Sequence, residues 1–118
     1  MSLEFSHKPD YFLCAQLVIH HIQNHLAKHP SANNATFDLR EIYDLFRHDL
    51  ASATTNLEGI MNIADAYAIE TMQGDQTLIQ HYSIDGQNNT LFIDFNLGAI
   101  ESLKQGKTLV PPDATLQQ

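Results

Sequence analysis

Histidine is the reactive side chain this 118-residue sequence holds in excess, with seven copies. His21 and His25 stand four residues apart in an apolar-periodic stretch, which puts both imidazoles on one face of a helix. Two imidazoles so placed can chelate a transition-metal ion once a third ligand arrives, for instance His7, Asp44 or His48. His29 would extend the row, but Pro30 disfavours helical geometry at the residue before it. The competing reading places these histidines on the polar border, where protonated rings suit the negative end of a helix. Glu does not follow His21, so the zinc-protease spacing is absent. Asp44 with Asp49, or Asp94 with Glu101, could approach in space, but their spacing defines no acid/base couple. The sequence has no Gly-rich phosphate loop, nucleophile elbow or paired-cysteine zinc motif. The expectation is a non-enzymatic chain without a cofactor.

The elements that must position these residues are read from periodicity. Asp10 is a good N-cap, and Tyr11, Ala15, Val18, Ile22 and Leu26 recur at three- and four-residue steps. They predict an amphipathic helix of about five turns, ended by Pro30. Cys14 lies within it among Phe12, Leu13, Ala15 and Leu17, as a buried small hydrophobe. One cysteine makes no internal disulfide, so a reducing, cytoplasmic location is expected. Thr36-Phe37 suggests a brief strand. Asp38 to Glu41 has capping-box form and opens a helix to about Arg47. Thr55 to Glu58 repeats that form before a third helix that reaches about Asp65, with Gly59 inside it. Gly59 costs about 1 kcal/mol relative to Ala and suits a close packing contact.

From Ala66 to Ile100 the pattern changes to period two. Tyr67, Ile69 and Thr71 form one strand face, followed by a turn at Gly74-Asp75. Leu78, Tyr82 and Ile84 form a second, with Gln80 as a polar exception. Asp85-Gly86 and Gln87 to Asn89 make a loop before Leu91, Ile93 and Phe95. Asn96 can cap a short last helix through Leu103, with Gly106 at its C′ position. Leu109 to Pro112 then lies extended. One domain over residues 1–118 is expected, with flexible tails at 1–9 and 111–118. No secretory signal and no membrane span are expected, because no apolar run is long enough.

Six basic residues face fourteen acidic ones, for a net charge of −8. No Lys or Arg occurs from His48 to Leu103, a stretch holding Asp49, Glu58, Asp65, Glu70, Asp75, Asp85, Asp94 and Glu101. Such a surface repels polyanions.

The order helix, short strand, helix, helix, hairpin resembles a winged helix. The residues that carry it run from Thr36 to Phe95: TFDLREIYDLF, then TTNLEGIMNIADAYAIE, then the hairpin. The run from Ile60 to Phe95 is also similar to the winged-helix domains of plasmid replication initiators. The resemblance implies an α+β fold with three main helices, a small antiparallel sheet and a short C-terminal helix. It also implies that the third helix and the wing would read DNA. At those positions this chain offers Thr55, Asn56, Asn62 and Asn88, which could meet base edges but neutralise no phosphate. The expected function is therefore a protein-interaction or regulatory module, self-associating as a homodimer, with Tyr11, Phe12 and Met72 as contact residues. A nucleic-acid-binding regulator, an acidic mimic of nucleic acid and a metal site at His21 and His25 are the alternatives.

Overall fold

The computed structural model describes residues 11–46 and 54–112, the side chains of 54–56 excepted. Helix α1 spans Tyr11–Lys28. Its apolar stripe buries Cys14, Ala15, Val18, Ile19, Ile22 and Leu26, while Gln16, His20 and Asn24 face solvent. Strand β1, Asn34–Asp38, buries Ala35 and Phe37 on one face. Asp38 then caps helix α2, Leu39–Asp44, by accepting from the Arg40 amide at 2.9 Å. Helix α3 spans Thr54–Ala64. The structure next forms four strands: β2, Ala68–Thr71; β3, Gly74–Thr77; β4, Ile79–Asp85; and β5, Thr90–Phe95. Helix α4, Leu97–Lys104, follows.

The strands make two antiparallel sheets. One has the order β1-β5-β4, and the other is the β2-β3 pair. Register sets the inner rows of the larger sheet. Ala35, Ile93 and Tyr82 lie side by side, as do Phe37, Leu91 and Ile84. Against that face and α1 pack Leu57, Ile60, Met61 and Ala64 of α3, in one hydrophobic cluster. Burying such a side chain fully stabilises the fold by about 1.5–3 kcal/mol. Gly59 lets α1 and α3 close together, since a Cβ there would stand 3.1 Å from Tyr11 Cε2.

Several sequence expectations need correction. A single three-strand sheet was expected over residues 66–100; four strands in two sheets are present. The first turn is at Met72 and Gln73, and Gly74-Asp75 belongs to β3. Thr71 closes that turn: its Oγ1 donates to the Gly74 carbonyl at 2.6 Å and accepts from the Gln73 amide at 3.1 Å. Gln80 is not a misplaced polar residue but the extra residue of a β-bulge between Ile79 and His81. The bulge resets the alternation, so Ile79 rather than Leu78 begins the strand face that continues at Tyr82. Helix α3 already includes Thr54, one residue ahead of the capping box expected at Thr55. Asn96 stands at the N-cap of α4 without a side-chain capping bond, and its Nδ2 donates to the Thr77 carbonyl at 2.7 Å. Helix α2 ends at Asp44 and a turn carries the chain to Phe46. Asp10, Arg47, the connection at 48–53 and the expected tails, apart from Pro111 and Pro112, lie outside the described residues.

The end of α4 follows the expected chemistry and adds a contact. Gly106 has φ +92°, and the amides of Gly106 and Lys107 donate to the carbonyls of Leu103 and Ser102. These two bonds form a Schellman cap. The extended segment beyond it buries Leu109 and bridges β2, where Val110 and Ala68 exchange amide bonds of 2.7 and 3.0 Å.

Candidate functional site

Helix α3 and strand β4 meet at Tyr82. Glu58 and Asn62 are four residues apart on α3 and project from one face toward it. The Tyr82 hydroxyl donates toward Glu58 Oε2 at 3.2 Å and Asn62 Oδ1 at 3.0 Å. Burial pushes the Tyr82 phenol up to about 12, helped by the Glu58 charge and hydrogen bond and by the Asp65 charge. Burial also raises the Asp65 carboxyl. Tyr82 therefore stays protonated at neutral pH, and its single O–H is shared between two acceptors of α3. The network pins a carboxylate on the outer side of the third helix.

The loop between β4 and β5 is equally tied down. Asp85 accepts the amides of Gln87 and Asn88 at 3.1 Å each, and Asn88 Nδ2 at 2.7 Å. The Asn88 side-chain bond is the largest cause holding the Asp85 carboxyl below its usual range. Asn89 adopts φ +61°, its Nδ2 reaches Asp38 Oδ1 at 3.2 Å, and its carbonyl accepts the Leu39 amide at 2.9 Å. The β4-β5 loop thus completes the N-terminus of α2, satisfying a backbone donor the helix leaves open.

The proposed nucleic-acid contacts fare accordingly. Asn62 is engaged by Tyr82 and Asn88 by Asp85. The side chains of Thr55 and Asn56 lie outside the described residues. Lys28, Arg40, Lys104 and Lys107 sit on separate elements, and Lys107 approaches Glu70 at 3.9 Å.

The three expected contact residues are not brought together. Tyr11 is half-buried against Gly59. Phe12 lines a cleft of about 840 Å³ between α1 and the C-terminal segment, with Leu13, Tyr67, Leu109, Val110 and Pro111. Leu13 is 43% exposed there and Val110 59%. Met72 stands elsewhere, 97% exposed at the β2-β3 turn.

The histidine row differs from its expected form. His21 Nε2 lies 2.6 Å from Glu41 Oε2, tying α1 to α2. Glu41 thus turns to α1 rather than back to its own helix start. The His25 ring stands edge-on to Phe37 at 5.2 Å and 4.5 Å from the His29 ring. The helix ends at Lys28, so His29 lies outside it as expected before Pro30, yet its amide still donates to the His25 carbonyl at 3.0 Å. Among the described residues no three metal-ligating side chains gather into one group.

Sequence reasoning missed the Tyr82 network, although Glu58 and Asn62 at helical spacing were a visible signal. It also missed the Glu41 bond to His21, which only the docking of α1 on α2 reveals. Comparison of the chain with protein-family models, curated proteins and solved structures finds no match. Among the described residues no helix is long and apolar enough to cross a membrane.

Proposed function

We propose that this chain is a winged-helix-like interaction module that binds protein, itself included, rather than duplex DNA. The strand order β1-β5-β4 supports the winged-helix reading, with β5 between the strand that precedes α2 and its own hairpin partner. The observation that carries the functional reading is the Tyr82 network. On the face where a winged helix would carry cations for phosphate, this chain fixes Glu58 and Asn62 with a phenol. No Lys or Arg from residue 48 to 103 offsets that charge. Base contacts without phosphate neutralisation provide little affinity. The α1 cleft, with Phe12, Leu13 and Val110 at its surface, offers apolar area for self-association. The cytoplasm suits the single buried thiol of Cys14.

The test combines a duplex shift assay at low and moderate salt with sedimentation over a concentration series. The expected result is no salt-sensitive shift at micromolar protein, and a dimer that Val110→Asp dissociates. Salt-sensitive duplex binding, or a monomer at every concentration, would overturn the reading.

A further inference from the structure

The last turns of α1 carry His21 and His25, His29 follows directly after the helix at the next four-residue step, and the three rings have different surroundings. His21 has its Nε2 engaged by Glu41 at 2.6 Å. His25 and His29 face each other with ring centroids 4.5 Å apart and planes tilted by 37°. The bond from the His29 amide to the His25 carbonyl keeps the second ring one helical turn beyond the first, although Pro30 follows. Phe37 braces His25 edge-on at 5.2 Å, while His29 is exposed to solvent.

We propose that His25 and His29 form a two-imidazole clamp for a borderline transition-metal dication of the zinc, nickel or copper class. Imidazoles four residues apart in sequence are a recurrent chelating unit, the amide bond to the His25 carbonyl holds His29 at that step, and imidazole nitrogen suits these ions. The clamp supplies two ligands and leaves the remaining positions to water or to a ligand from a partner. It is an exchangeable site, not a closed structural one. Binding needs neutral rings. Burial, then the charges of His29 and His21, and more weakly Lys28, lower the His25 value, with Glu41 opposing them. A dication there also meets the negative end of the α1 dipole. Lys28 beside the clamp opposes a cation and Glu41 favours one. The engagement of His21 by Glu41 is why the clamp forms from His25 and His29, and not from the His21–His25 pair that spacing alone suggests.

The test uses the full, untagged chain near neutral pH, titrated with nickel or zinc chloride. Calorimetry gives stoichiometry and affinity, and NMR of the histidine rings gives the site. Saturation at one equivalent is expected, with the His25 and His29 ring signals moving together. His29→Gln should weaken binding by about tenfold or more, on the scale seen when the support of a metal site is removed. Because His29 is exposed, its variant should melt like the parent. His20→Gln, on the solvent side of α1, should leave affinity unchanged, and His21→Gln should weaken it less than His29→Gln. Lowering the pH to about 5, where imidazoles hold protons, should release the metal. Absence of binding at millimolar metal would overturn the proposal. So would affinity insensitive to His29→Gln, or a greater loss in His21→Gln or His20→Gln than in His29→Gln.

Discussion

At the tip of the β2-β3 hairpin, Thr71 Oγ1 bonds across the turn to Gly74 and Gln73. At the tip of β4-β5, the Asp85 carboxylate performs the same closure on Gln87 and Asn88. The strands behind these tips are held differently. The β4-β5 pair gains a third strand in β1, a buried inner face and the α2 start beneath its loop. The β2-β3 pair has no third full strand among the described residues. It leans on α4, one bridge to Val110 and the Asn96 amide that reaches Thr77. The strands of the β4-β5 hairpin are thus integral to the core, while much of the β2-β3 hairpin is polar and attached at a few points. Short hairpins are marginal alone, so β2-β3 depends on its attachments.

The largest expected effect breaks the core side of that contrast. Ile93 is fully buried in the middle strand, and Ile93→Ala should cost about 3 kcal/mol. Urea denaturation should show this loss as one cooperative transition. Next comes the polar hairpin. Gly74 has φ +101° and open space around a would-be Cβ, so Gly74→Ala isolates backbone strain. A loss of about 1.5 kcal/mol is expected. Amide exchange should quicken in β2 and β3 while β5 keeps its protection. Val110→Pro removes the amide that donates to the Ala68 carbonyl at 2.7 Å, for about 1 kcal/mol. Its exchange signature should again be confined to β2 and β3. If it instead loosens β4 and β5, the two hairpins are one cooperative unit and the contrast fails.

The smallest effect concerns pH. His25 packs on Phe37 of β1 and so touches the larger sheet alone of the two. Its value is lowered in the folded protein, chiefly by burial. The folded state then binds fewer protons than the unfolded state below about pH 6.5. Its contribution to stability should therefore fall as pH drops through that value, until the folded ring also takes a proton. Thermal melts between about pH 7.5 and 5 should show a decline that His25→Gln reduces.

The same contrast explains what could be read from sequence. Residues such as Val18, Ile22, Leu91 and Ile93 announce their elements because one face of each is buried. Gly106 announces a helix end because a positive φ is needed there. By contrast β3, Gly-Asp-Gln-Thr, buries no full side chain, so alternation has nothing to report. The turn at Met72-Gln73 uses neither residue's own chemistry, since Thr71 and Gly74 close it. The bulge at Gln80 is visible only against β5. At the candidate site, the histidine spacing was legible, but the partner of each ring comes from β1, α2 or the turn after α1.

The bond between the Asn89 carbonyl and the Leu39 amide has a mechanical meaning. It couples the loop between β4 and β5 to the first residue of a helix, with the Asn89 side chain on Asp38 as a second tether. Lifting the loop away would uncap that helix, and unwinding the helix would cast the loop adrift. A molecule that gripped either one would transmit its pull to the other.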